Sequence, residues 1–402
     1  MKQTNSFQPS KANPTISAYK AAYNSHRRRP NNPLYDRDLQ DKSIIDFSTN
    51  WNRDDRIISL SNSNRVAGGS SYQGPIFGLA SHPGFIYIPQ ALSPSLQTEL
   101  AYRSLTEFCN VRDCGHTTNI QLVPKKDSEV INSREDTMWN LFEREFDEPK
   151  EQGVNVTVGP NGSGLKRKRT SNQSTARHKK VQYYESFDKL SWATMGYQYD
   201  WTARAYLERK KSEMPPILQS LANLFARLDT SDDRSNNDTF TASAAIVNYY
   251  NQKSNMGGHS DDLELDFTKP VISISLGLCA IFLLGQKTKD EEPIVPILVR
   301  PGDVLLLAGE SRLAYHGMAR VLDKRIDVAP ASPIANEFQV QSLKSIVQED
   351  DTGCNTTGSF DASDRGRTCP ESELDALNHF LSEHRININV RQVLPDGLTR
   401  IP

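Results

Sequence analysis

The run Arg385-Ile386-Asn387-Ile388-Asn389-Val390-Arg391 constrains the fold more than any other stretch of the chain. Its polar and apolar residues alternate without a break, and successive side chains of a β-strand point to opposite faces. Ile386, Ile388 and Val390 therefore share one face, and Arg385, Asn387, Asn389 and Arg391 the other. Short apolar runs punctuated by Gly, Pro and Asp predict further strands at 244–250, 271–276, 279–285, 294–299 and 303–308. Upstream, Phe85 to Ile88 reads as a first strand, and Ser93-Pro94 starts a helix running to about Phe108. A mixed-charge stretch around Trp139 reads as helical, as does the apolar spacing 217, 218, 221, 224, 225. Helices followed by many short strands predict an α+β chain: a double-stranded β-helix, or jelly roll, with N-terminal helices packed on one face.

The polar face of the 385–391 strand carries two guanidiniums and two amides. Arginine pairs bidentately with carboxylates, so this face can bind a dicarboxylate. A second feature follows Asn248-Tyr249-Tyr250: the segment Gly257-Gly258-His259-Ser260-Asp261. An imidazole and a carboxylate one residue apart can reach a single metal ion. His316, after the strand-like run 302–308, offers a second imidazole. Two histidines and one carboxylate with open positions beside them are the ligand set of non-haem Fe(II) oxygenases. Glu264 is the candidate partner that would orient a ligating imidazole. Lys253 to Gly258 reads either as a mobile lip or as a plain hairpin turn.

These segments, with E-L-D-F-T-K-P (264–270), R-P-G-D-V (300–304), S-R-L-A-Y-H (311–316), P-G-F-I-Y-I-P (83–89) and K-L-S-W-A-T-M-G-Y-Q-Y-D-W (189–201), resemble the AlkB family of Fe(II)/2-oxoglutarate dioxygenases. Among its members the chain looks most like the eukaryotic homologue 1 subfamily, from about Tyr19 to Val393. The resemblance implies iron held by His259, Asp261 and His316, with 2-oxoglutarate and O2 as co-substrates. It implies 2-oxoglutarate contacts from Asn248, Tyr250, Arg385, Asn387 and Arg391. Arg385 would take the distal carboxylate, Tyr250 would donate from the side, and Arg391 with the asparagines would fix the keto-acid end. Trp139, Tyr197, Tyr199 and Arg312 match positions that contact the nucleotide. The implied reaction is oxidative demethylation of a methylated base in tRNA or DNA, with release of formaldehyde, succinate and CO2. Bacterial relatives carry an acid two positions after the metal aspartate that reads the base edge. Here that position is Leu263, so base specificity does not carry over. Dioxygenase action on a protein such as a histone would share this core. A non-catalytic nucleic-acid-binding module and a lyase acting at abasic sites are the other readings.

A net charge of −2 provides no global field for a polyanion, so any nucleic-acid contact must come from local basic patches. No apolar stretch is long enough to span a bilayer, and a monomer with no membrane partner is expected. Five cysteines without framework spacing (109, 114, 279, 354, 369) suit a reducing compartment: nucleus, cytoplasm or mitochondrion. Residues 1–75 read as a basic, largely disordered arm, 76–147 as the first part of the dioxygenase domain and 148–186 as a basic disordered insertion. That insertion holds Lys166-Arg167-Lys168-Arg169 and Arg177-His178-Lys179-Lys180, which suit a nuclear import signal or a solvated loop. The metal site falls in 187–325, a disordered insertion in 326–372, and the co-substrate strand in 373–402.

Overall fold

The alternating run forms a strand at the heart of the larger of two antiparallel sheets. The computed structural model describes residues 16–27, 42–49, 51–60, 74–109, 190–200, 205–228, 240–323, 369 and 371–401. The chain divides into one unit of Met1–Thr117 with Ser191–Pro402 and another of Thr118–Leu190. All described elements belong to the first.

Helix α1 (Ala18–His26) comes first, then strands β1 (Ile57–Ser59), β2 (Phe77–Leu79) and β3 (His82–Ile88). Helix α2 (Pro94–Thr106) follows, with strands β4 (Trp192–Asp200) and β5 (Ala205–Lys211) and helix α3 (Pro216–Ala226). The strands β6 (Ala244–Asn251), β7 (Met256–His259), β8 (Val271–Gly277), β9 (Ala280–Leu284), β10 (Val295–Val299), β11 (Val304–Leu307) and β12 (His316–Val321) then run on in sequence. Helix α4 (Glu371–Glu383) leads into β13 (His384–Arg391). The major sheet has the order β1-β2-β3-β11-β8-β13-β6-β4-β5, and the minor sheet β10-β9-β12-β7. This is the expected jelly roll.

The alternation of β13 sets the register of everything around it. Ile386, Ile388 and Val390 are wholly buried, each contributing about 1.5–3 kcal/mol of apolar burial. Helices α2, α3 and α4 pack on the major sheet along β8 and β13. Ser93 caps α2 by accepting from the Leu96 amide at 3.3 Å, with Pro94 in the first turn where its missing N–H costs nothing. Between the sheets, one half of the sandwich is filled by Phe77, Phe85, Tyr87, Ile297, Val299, Leu305 and their neighbours. The other half is open and forms the cavity described below.

The described parts of the first 75 residues correct the expectation of a solvated arm. Ile45 and Phe47 are buried in the inter-sheet core, and Ile45 bridges to Ile297 of β10. Asp46 forms a two-pronged ion pair with Arg300 at 2.6 and 2.7 Å. α1 packs on the minor sheet against β7, β9 and β12, so the helices do not all lie on one face. These apolar residues are thinly scattered in a polar stretch, and their partners are remote in sequence (Phe77 and Tyr87 for Phe47, Ile297 for Ile45), so no local pattern announces them. Helix α4 was likewise not read, although Leu374, Leu377, Phe380 and Leu381 have helical spacing. It begins at Glu371, inside the end of the expected 326–372 insertion. The rest of that segment (apart from Cys369), the 148–186 insertion and the Trp139 stretch lie outside the described residues.

Candidate active site

Strands β7 and β12 pair antiparallel with His259 opposite His316. The pairing brings the two ring centroids to 4.5 Å. Asp261 follows β7 by two residues and turns back beneath them. One ligand atom from each of His259, Asp261 and His316 falls within 4.8 Å of the others, and this is the one such group found among the described residues. Neither imidazole is oriented by Glu264. Each ring Nδ1 meets the carbonyl two residues before it: Gly257 O at 3.1 Å for His259 and Ala314 O at 2.9 Å for His316. The opposite nitrogen, Nε2, is thereby left for a metal. Burial, then the neighbouring His259, pushes His316 down to about 4, so it is neutral near pH 7 and able to ligate. Burial alone would raise the Asp261 carboxyl, but Arg391, both histidines and Arg312 outweigh it and hold Asp261 below the usual carboxylate range.

The register of β13 builds the second half of the site. Arg385 lies opposite Tyr250 of β6, and Asn387 opposite Asn248. On the other flank Asn387 faces Ser275 of β8, and Asn389 faces Ser273. All of these except Ser275 line one cavity of about 550 Å³ together with His259, Asp261 and His316. Arg385 is 5% exposed. It donates to Ser275 Oγ at 2.9 Å and Leu278 O at 3.3 Å, and its Nε has no partner among the described residues. No carboxylate is paired with it among the described residues, and burial lowers its pKa. Among the described residues the Tyr250 hydroxyl meets only the Met256 sulfur, at 3.7 Å. A buried cation without a counter-ion, beside a buried hydroxyl with a weak partner, is a receptor for an anion.

Residues 163–391 match the 2OG-Fe(II) oxygenase superfamily, more than half of the chain. The chain belongs to this superfamily. The oxygenase is 30% identical over 344 residues to the DNA N(6)-methyladenine demethylase ALKBH1A of Arabidopsis thaliana, spanning 79% of this chain and 78% of that one. It is 29% identical over 318 residues to the nucleic acid dioxygenase ALKBH1 of Homo sapiens, spanning 79% of this chain and 66% of the human one. The tRNA demethylase abh1 of Schizosaccharomyces pombe is 36% identical over 135 residues, 33% of this chain and 43% of the yeast one. The solved structure of OsALKBH1 aligns with 79% of this chain and 100% of its own at 17% identity and a TM-score of 0.39. The family resemblance read from the sequence therefore holds, and with it the jelly-roll fold and the dioxygenase class.

The residues of the oxygenase fit the groups that its superfamily implies. Two neutral-capable imidazoles and an ionised carboxylate suit Fe(II), and Arg385 suits the distal carboxylate of 2-oxoglutarate. Arg391 departs from the sequence expectation. It lines the cavity, but its terminal nitrogens are spent on Asp261 (3.2 Å to each oxygen) and Glu264 (3.1 Å). Glu264 is fully enclosed and also accepts from Arg312 and from the Tyr206 hydroxyl. Its work is to hold arginines rather than an imidazole.

The substrate-side expectations need correction at two residues. Tyr197 is buried in a cluster with Tyr206, Val393 and Leu394, and its hydroxyl donates to Glu208 at 2.8 Å, away from the cavity. Arg312 is also buried and absent from the cavity wall, with its donors committed to the protein. Tyr199 lies on β4 opposite Tyr206, and Trp139 is outside the described residues. The sequence reading missed Trp192. It is 36% exposed yet lines the cavity, paired across the sheet with Asn248. Leu263, 40% exposed, lines the same mouth. The signal for Trp192 was its place on the strand beside β6, visible only once β4 is recognised as a strand.

Proposed function

We propose that this oxygenase oxidatively demethylates methylated bases in nucleic acid, tRNA or DNA. The observation that carries the reading is the shared cavity. The Arg385 cation, with no carboxylate beside it among the described residues, and the His259–Asp261–His316 triangle line it together, with apolar Trp192 and Leu263 also on its wall. The activities for which the plant, human and yeast relatives are named support nucleic acid as the substrate class.

Bound Fe(II) and 2-oxoglutarate supply, with O2, the oxidation that gives succinate and CO2 and hydroxylates a methyl carbon; from an N-methyl base that carbon leaves as formaldehyde. The chain's residues bind and orient. Arg385, fixed by Ser275, takes the distal carboxylate, and Tyr250 donates its hydroxyl to the same group. Asn248 and Asn387 face each other across the strand pair and both line the cavity. Arg391 keeps Asp261 ionised and aimed. Val271, Leu305, Leu307 and Phe282 wall the cavity with hydrocarbon and exclude water. Trp192 offers an aromatic face on which an unpaired base can stack, a contact that tolerates any base.

The test is succinate formation by anaerobically iron-loaded protein with 2-oxoglutarate and O2, with and without methyl-adenine tRNA or single-stranded DNA. Succinate and formaldehyde that rise with one nucleic acid and vanish in His259→Ala and Arg385→Ala support the proposal. Turnover stimulated by a methylated histone peptide and by neither nucleic acid would overturn the substrate class. Nucleic-acid binding that survives His259→Ala with no succinate from wild type would leave a binding module.

A further inference from the structure

Arg312 is 2% exposed and touches neither the cavity nor solvent, so a charge has been buried for a purpose other than contact with substrate. Its whole fork is engaged. Nε donates to Lys269 O at 2.9 Å, Nη1 to Asp261 O at 2.8 Å and Nη2 to Glu264 Oε2 at 3.0 Å. The Phe267 ring lies 5.4 Å from the guanidinium carbon. Every one of these partners belongs to the segment 261–269, which links β7 to β8 and begins with the metal-ligand aspartate. Arg312 itself belongs to the other ligand-bearing segment. It ends the 3-10 turn Gly309–Ser311, anchored by Ser311 Oγ donating to Pro83 O at 2.8 Å, four residues before His316.

We propose that Arg312 is a positioning residue that fastens the Asp261 segment to the His316 segment and so fixes the spacing of the metal ligands; the inference rests on the metal-site reading above. It acts along two routes. One is direct, through the Asp261 carbonyl. The other runs through Glu264, which accepts from both Arg312 and Arg391, while Arg391 grips both oxygens of the Asp261 carboxylate. Only a planar fork can serve three acceptors spread over nine residues of chain; a lysine ammonium in the same place reaches one or two of them. Orienting groups of this kind typically contribute about 10–100-fold in metal affinity.

The test uses the full-length metal-free protein, with Co(II) as the probe and its d–d absorption as the readout, in wild type, Arg312→Lys and Glu264→Gln. Both variants are expected to bind Co(II) about 10–100-fold more weakly, with an altered d–d band and faster hydrogen exchange across 261–269. Oligonucleotide affinity of the metal-free protein, and its salt dependence, should match wild type. An unaltered band and affinity in both variants would overturn the inference. So would a loss of oligonucleotide affinity with a salt slope reduced by about one, which would put Arg312 on a phosphate. If Arg312→Lys loses protection throughout the sheets, Glu264→Gln decides, because it severs one route and keeps the guanidinium. Absence of any Co(II) band in wild type overturns the metal-site reading itself, a failure distinct from an unchanged band in the variants.

Discussion

Replacing Arg385 by methionine should make the ligand-free protein more stable while abolishing its hold on 2-oxoglutarate. Arg385 is a guanidinium inside the sheet sandwich with no carboxylate beside it among the described residues. Burying such an ion costs several kcal/mol even after relaxation. Its hydrogen bonds to Ser275 Oγ and Leu278 O return about 1.5–3 kcal/mol each, and the partnerless Nε costs about 1–3 kcal/mol. The balance is unfavourable by a few kcal/mol. Methionine keeps most of the volume and removes the charge, leaving one hydroxyl and one carbonyl to find other partners. A net gain of about 1 kcal/mol in unfolding free energy follows for Arg385→Met. The loss on the ligand side is larger. Truncating one partner of a buried charge pair costs about 2–5 kcal/mol, or about 30- to 4,000-fold in affinity. Urea unfolding, run with and without 2-oxoglutarate and Mn(II), reads both effects. Ligand at about 100 times its Kd adds about 2.7 kcal/mol to wild type and should add almost nothing to the variant. A ligand-free Arg385→Met that is less stable than wild type would refute the reasoning, because Arg385 would then be a structural cation rather than one held for an incoming anion.

Two further perturbations probe the imidazoles. A side chain at Gly258 would overlap the rings of Tyr19 and Tyr315, and one at Gly317 would stand 2.9 Å from the Tyr19 hydroxyl. Gly258→Ala should therefore cost about 1–3 kcal/mol of stability, and by shifting the neighbouring His259 it should weaken Mn(II) binding at least ~10-fold; normal Mn(II) affinity would show that this backbone has room to move. For pH, His316 has a folded-state value of about 4 against an ordinary 6.5. Between those values the unfolded chain binds the proton and the folded one does not, so stability of the metal-free protein rises with pH across that window. It is lost as pH falls from about 6.5 to about 4, on the order of 3 kcal/mol. His316→Gln should flatten this limb in denaturation measured at several pH values, and an unchanged limb would assign it to other groups.

The candidate site was legible in the sequence wherever chemistry and local period coincide. Strict alternation at 385–391 fixed both the strand and its polar face, and His-x-Asp after a glycine pair became a ligand candidate once it was taken together with His316, the arginine strand and the family resemblance. What the sequence withheld was direction over distance. Nothing local says that Arg312 folds back onto the chain fifty residues earlier, so the family position suggested a nucleotide contact that the packing denies. Glu264 failed in the same way. An acid three residues from a metal ligand looks like an imidazole partner until two arginines from elsewhere arrive to claim it. Trp192 was hidden because β4 reads as an aromatic-rich stretch and its membership of the sheet depends on pairing with β6. The docking of Tyr19 beside the two ligand strands joins residues some 240 to 300 positions apart, beyond any window of periodicity.

Strand β13 lies between β6 and β8, yet among the described strands it comes last in chain order. While the chain is still on the ribosome, the metal-ligand hairpin and its neighbours exist with a seam down the middle of the major sheet. Two strand edges and the apolar surfaces of β6 and β8 wait unpaired until residue 391 has emerged. Such edges are adhesive, and contacts of this sequence separation form slowly. The seam stays open from the end of β8 at residue 277 until residue 391. The cavity is likewise complete only with β13 in place: Arg385, the buried cation without a carboxylate beside it among the described residues, and Arg391, which grips Asp261, both arrive on the strand whose insertion closes the sheet.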